Sequence, residues 1–151
     1  MRSARGFTII EIMIVVTMVA ILASIAIPSY TQYVTRSKIQ EATSTLLSQR
    51  VKLEQFFQDN RTYVGACAAG TVAPLPGTAG ALQYFTITCP VLTATTYTIQ
   101  AAGGGTSDQS MAGFVYTIDQ GNTRVTVGVP AGSGWTVPAS NCWVTKKGGV
   151  C

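Results

Sequence analysis

The sequence predicts an α+β protein, one long N-terminal helix packed on a four-stranded antiparallel sheet. Three observations carry that expectation. From Phe7 to Ile27 the chain is predominantly apolar and its only charge is Glu11, and a bilayer's hydrocarbon core is crossed by about 20 such residues of helix. Beyond Pro28 the apolar residues recur at helical spacing. From residue 84 onward, runs rich in Thr, Val, Ile and aromatic residues alternate with turn residues, which is the patterning of strands.

Residues 7–28 form the first part of the helix and contain its one awkward group. An acid at a bilayer centre costs about 2.5–3.5 kcal/mol on insertion scales, and less near the interface, so the Glu11 carboxylate reads as functional. Arg2 and Arg5 precede the segment, whereas Arg36 and Lys38 follow at a distance and are offset by Glu41. The positive-inside bias therefore places the N-terminus in the cytoplasm and everything after the span on the far side. Tyr30 and Tyr33 would lie at the outer interface. Pro28 has no N–H and its ring meets the preceding turn, so it is expected to kink or loosen the helix.

Residues 29–60 continue the helix with a different face. Ile39, Ala42, Leu46, Leu53 and Phe57 make a stripe that one side of a helix can bury, and Asp59-Asn60 followed by Gly65 ends it. The globular part is expected over residues 61–151. Its strands are Tyr84–Cys89, Thr96–Ala101, Phe114–Asp119 and Thr123–Val129. In the third, Phe114, Tyr116 and Ile118 share a face; in the fourth, Val125, Val127 and Val129 do. Asp119-Gln120-Gly121-Asn122 reads as a tight hairpin turn. Gly103-Gly104-Gly105 reads as flexible punctuation and lacks the Gly-Lys-Ser/Thr ending of a phosphate-cradling loop. Trp135 and Trp143 are expected to pack on the sheet.

Composition narrows the function classes. The chain has 151 residues, one domain's worth, with 10 basic and 6 acidic residues and a formal net charge of +4. That charge alone is too weak to imply nucleic-acid binding. There is no histidine, which removes Ser-His-Asp and Cys-His nucleophile pairs and His-containing metal sites. No nucleophile–base pair can be nominated, so no enzyme activity, catalytic residue or cofactor is expected. Cys67, Cys89, Cys142 and Cys151 contain no CxxC pair, and an even number beyond a membrane segment points to disulfides rather than a metal. Three pairings are open.

The N-terminus narrows the reading further. A secretory leader places its small-residue cleavage site after the apolar stretch, but here Gly6 precedes it. GFTIIE at 6–11, IPSYTQYVTRSKIQEA at 27–42 and FFQDNRTY at 56–63 resemble the type IV pilins, of the type IVa, PilE-like minor kind. The resemblance implies a leader at residues 1–6, cleavage between Gly6 and Phe7 by prepilin peptidase, and N-methylation of Phe7. It implies that Glu11 meets the amine of a neighbouring subunit when helices pack in a filament, and that Pro28 marks a segment that loses helix there. Ala20 stands where many family members have Gly, and Ala favours helix.

The resemblance also implies a C-terminal cysteine loop, Cys142–Cys151. The favoured set is Cys142–Cys151 with Cys67–Cys89, each of which closes a local loop. The partners implied are other pilin subunits, prepilin peptidase and an inner-membrane assembly platform. The protein is then held in the inner membrane by a single pass before assembly and is extracellular afterwards, serving twitching motility, surface attachment or DNA uptake. Alternatives are a major pilin, a DNA-binding competence pilin or a type II secretion pseudopilin. Lys146 and Lys147 read as solvated surface or, with Arg124, as a basic patch for DNA. Asn60-Arg61-Thr62 matches a glycosylation acceptor and is assigned no role.

Overall fold

A computed structural model of the chain describes residues 7–76, 82–105 and 108–151. It falls into two compact units, Met1–Val34 and Thr35–Cys151. Helix α1, Ile9–Asn60, contributes to both and continues through Pro28.

In the first unit the helix is apolar and uncovered. Its most apolar window has a mean hydropathy of 2.6, and none of that window is buried within the chain. The hydroxyls along it are satisfied locally: Thr17 donates to the Met13 and Ile14 carbonyls, Ser24 to Ile21 and Thr31 to Pro28. Such back-bonding satisfies polar groups that lipid would leave without partners.

In the second unit the same helix buries Ile39, Ala42, Leu46 and Leu53. Gln49 completes the stripe at the expected spacing and is itself buried. It can be, because its amide donates to the carbonyls of Ala73 at 2.7 Å and Pro74 at 3.2 Å, which fastens the segment after the helix back onto it. Phe57 is only half-buried and stacks on Tyr63, ring centroids 4.6 Å apart. The helix ends at Asn60, as the sequence predicts. Arg61, directly after it, takes the left-handed conformation (φ 58°) and donates its N–H to the Phe57 carbonyl at 2.7 Å, and Gly65 follows at φ 82°.

Four antiparallel strands follow in sheet order, β1 (Phe85–Leu92), β2 (Tyr97–Gly103), β3 (Val115–Asp119) and β4 (Arg124–Gly128). β1 runs past the expected end at Cys89. It is an edge strand, and a register shift between Thr88 and Val91 takes Pro90 where no ladder N–H is needed. Phe85, Ile87, Tyr97, Ile99, Ala101, Tyr116 and Ile118 are buried and join the helix stripe in one core.

In β4 the buried residue is Thr126, while Val127 is exposed and Val125 half-buried. Thr126 lies opposite Tyr116 in the register, so the two share the inward face. The glycine run is also not loose. A Cβ on Gly103 would sit 1.8 Å from the Met111 carbonyl oxygen, and Gly104 and Gly105 both donate to the Tyr84 carbonyl at 3.1 Å. These glycines serve close backbone approach. The β3–β4 turn is the expected hairpin. Asn122 at φ 60° donates to the Asp119 carbonyl, and the Asp119 carboxylate accepts the Thr123 N–H at 2.8 Å.

Candidate functional site

Two regions carry the functional expectations, the start of α1 and the far end of the head. Gly6, with the rest of the leader, lies outside the described residues. Phe7 is exposed. Glu11 occupies the third helical position after Thr8, and the two residues exchange bonds. The Glu11 N–H donates to the Thr8 hydroxyl at 3.2 Å, and the Thr8 N–H donates to the Glu11 carboxylate at 3.5 Å. This is a capping box, Thr-x-x-Glu, and it places a negative charge where the helix dipole favours one. Its signal is present in Thr8-Ile9-Ile10-Glu11.

Within the head, Cys67 is bonded to Cys89 and Cys142 to Cys151. The second bridge closes a hairpin in which Thr145 and Lys146 donate to the Val150 carbonyl at 2.9 and 3.1 Å, leaving Lys146 and Lys147 exposed at its tip. The residues before the hairpin are pinned to the sheet. Thr126 donates its hydroxyl to the Cys142 carbonyl at 2.8 Å and accepts the Val144 N–H at 2.9 Å. Tyr116 donates to the Val144 carbonyl, and the Trp143 indole to that of Thr117. Burial pushes the Tyr116 phenol above its ordinary range.

Beside this anchor lies a groove of about 530 Å3, lined by Leu47 of α1, Asn122 and Arg124 of the β3–β4 hairpin, and Asn141, Trp143 and Thr145 of the C-terminal segment, among others. The Arg124 guanidinium rests 5.2 Å from the centroid of Trp143. Among the described residues no carboxylate lies within ion-pair distance of Arg124, Lys146 or Lys147; the ion pair found is Lys38–Asp108, at 3.3 Å. Asp108 is held below the usual carboxylate range by bonds from Ser110 and by Lys38. Sequence reasoning singled out the three basic residues but had no means of placing Trp143 under Arg124.

A polar junction further along the helix went unforeseen. The Glu54 carboxylate accepts both the Tyr63 phenol at 3.1 Å and the Tyr97 phenol at 2.9 Å, joining α1 to β2. Burial, then the bond to Glu54, pushes the Tyr63 phenol up to about 12, and the Tyr97 phenol higher still.

Comparison with known proteins decides the family. A family model described as type IV minor pilin ComP, DNA uptake sequence receptor, matches residues 28–112, and one described as the prokaryotic N-terminal methylation motif matches residues 1–27. The chain belongs to the type IV pilins, in that ComP minor-pilin family. Similar relatives include the fimbrial protein EcpC of Eikenella corrodens, 38% identical over 69 residues, 46% of this chain and 45% of that one. Another is the type IV major fimbrial protein FimA of Dichelobacter nodosus, 38% identical over 76 residues, 50% of this chain and 44% of that one. The matched stretch thus spans under half the length of these curated relatives. A solved structure, the non-core minor pilin PilV of Neisseria meningitidis, is similar at 19% identity with a TM-score of 0.49, covering 72% of this chain and 98% of that one.

Proposed function

We propose that this pilin is a minor subunit of a type IV pilus and that its role is structural assembly, with no catalytic step of its own. Residues 1–6 act as a leader, 7–28 as the membrane and filament-core helix, 29–60 as the amphipathic helix of the head, and 61–151 as the head's globular part. Prepilin peptidase cuts between Gly6 and Phe7 and the new amine is methylated. The subunit waits in the inner membrane with its N-terminus in the cytoplasm and its head in the periplasm, then passes through an assembly platform into an extracellular filament with other pilin subunits.

The observation that carries this reading is the uncovered first half of α1. An apolar helix that its own chain leaves bare is equally served by lipid and by other apolar helices, so transfer between them needs little free energy from the surface itself. The Glu11 carboxylate breaks that indifference. Leaving a buried charge unpaired costs several kcal/mol, so only a register that brings it a cation is satisfactory, and the neighbour's Phe7 amine is the nearest group in kind. Replacing Glu11 by Ala should leave synthesis and membrane insertion intact while cutting the subunit's recovery in sheared filaments at least tenfold on immunoblots. Undiminished recovery would overturn the assembly role.

A second reading, a DNA-binding pilin, is favoured by the uncompensated charges of Arg124, Lys146 and Lys147 and by the family's description. It calls for DNA retention by the full chain that weakens steeply as salt is raised, the signature of counterion release.

A further inference from the structure

The two disulfides sit in different surroundings. Cys67 and Cys89 are half-buried and pack against the hydrophobic core, and their bridge joins the segment after α1 to the edge strand β1. Cys142 and Cys151 stand outside that core, and Cys151 is exposed. Reduction of a disulfide begins with attack on one of its sulfurs, so its rate depends on access to that sulfur. The C-terminal bridge gives access at Cys151.

What this bridge holds is separable from the rest of the fold. The bonds that pin the C-terminal segment to the sheet reach no further than Val144: Thr126 with Cys142 and Val144, Tyr116 with Val144, and Trp143 with Thr117. Beyond Val144 no residue is buried. Thr145 and Lys146 donate to Val150 within the hairpin itself. Among the described residues one hydrogen bond ties the hairpin to the remainder of the head, from the Gly148 N–H to the Gly134 carbonyl at 3.0 Å. Water offers an exposed backbone group nearly the same bond. Residues 145–151 are therefore held in place chiefly by their disulfide.

The chemistry around the bridge also favours its opening. Cys142 and Cys151 line the groove together with Arg124, and no acidic residue is among those lining it. Lys146 and Lys147 belong to the loop that the bridge closes. The Ser140 hydroxyl lies 3.5 Å from the Cys142 sulfur and donates toward it. Cations and donors beside a thiolate stabilise it, and a stabilised thiolate is the better leaving group in exchange.

We propose that Cys142–Cys151 is a redox latch, which a dithiol reductant opens while Cys67–Cys89 stays closed. One thiolate of the dithiol attacks the Cys151 sulfur, and the Cys142 sulfur leaves as a thiolate that takes up a proton. The second thiolate of the reductant then displaces the Cys151 sulfur, which is protonated in turn. The chain gains two thiols and the dithiol becomes a disulfide, so two electrons and two protons pass from one to the other. Opening releases residues 145–151, takes Thr145 and Cys151 out of the groove wall, and frees Lys146 and Lys147 from the hairpin tip. The head, closed by its core bridge, stays folded.

The test equilibrates the full chain, in detergent micelles, with graded ratios of reduced to oxidised dithiothreitol. Free thiols are then alkylated and mapped by peptide mass spectrometry. Cys142 and Cys151 should be half-alkylated at a ratio about tenfold below the one that Cys67 and Cys89 require. In the same samples amide exchange in residues 145–151 should quicken by about tenfold, while exchange in β2, β3 and β4 stays as it was. Cys142→Ser combined with Cys151→Ser removes the bridge without any reductant and should give the same exchange pattern on a folded head. Reduction of both bridges at one ratio, or of Cys67–Cys89 first, overturns the proposal. So does slow exchange that persists in residues 145–151 once their bridge is open, or a double variant whose head no longer folds.

Discussion

Along α1, Ile12, Val15 and Val19 are 50%, 52% and 58% exposed, whereas Ile39, Ala42, Leu46 and Leu53 are at most 1% exposed. The two stretches belong to one helix, and the more apolar of them is the one the chain leaves bare. Hydrophobicity by itself therefore does not say where a helix finds its cover. Patterning does: residues 39–53 place apolar residues at three-, four- and seven-residue steps with polar residues between, while residues 12–27 carry apolar residues on every face. The first pattern is addressed to the sheet of the same chain. The second suits surroundings that are apolar on all sides, as lipid and a packed bundle of like helices are.

Substitutions that treat the two stretches alike should give opposite results. Leu46→Ala removes a fully covered side chain and should cost about 2–5 kcal/mol of unfolding free energy, measured by denaturant melts of the full chain in micelles. Val15→Ala should change the same quantity by less than about 0.5 kcal/mol. Equal losses at both positions would mean that the first half of α1 is covered by its own chain after all.

A subtler break concerns Gln49. Replacing it by Leu keeps a bulky apolar side chain in the stripe but strips the Ala73 and Pro74 carbonyls of their donor. The expected cost is about 1–3 kcal/mol, with faster amide exchange in residues 63–76. A stabilised Gln49→Leu variant would show that the stripe needs only greasy filling.

A smaller loss than at Leu46 or Gln49 is expected at high pH. The Tyr63 phenol is raised in the folded state from 10.0 to about 12. A raised folded value contributes stability that is intact below pH 10 and is lost as pH climbs through 12, because the unfolded chain ionises first. Stability should hold to about pH 10 and then fall by on the order of 1–2 kcal/mol from this phenol by pH 12. A flat profile across that window would contradict the bonded, buried phenol.

Much of this architecture was legible in the sequence because it is periodic. The helix stripe, the four strands and the Asp119–Asn122 hairpin all follow from spacings that local chemistry enforces. What escaped are polar residues whose burial depends on a partner far along the chain. Gln49 is buried because residues 73 and 74 return to it and Thr126 because residues 142 and 144 do, and the half-buried Glu54 is bonded because Tyr63 and Tyr97 converge on it. No local pattern distinguishes such a residue from one facing water. β1 runs beyond the expected Cys89 for a related reason: a proline such as Pro90 ends a central strand but not an edge strand with a bulge, and only the sheet order tells the two apart. At the functional end, Glu11 was conspicuous, whereas its local partner Thr8 needed the capping pattern to be recognised.

The most direct test of the central claim is photo-crosslinking in native filaments from a light-activated residue placed at Ile10, adjacent to Glu11 on the bare helix. The expected product joins this position to the first few residues of a neighbouring subunit's helix, beside its Phe7 amine. Crosslinks confined to neighbouring heads or to lipid would contradict it.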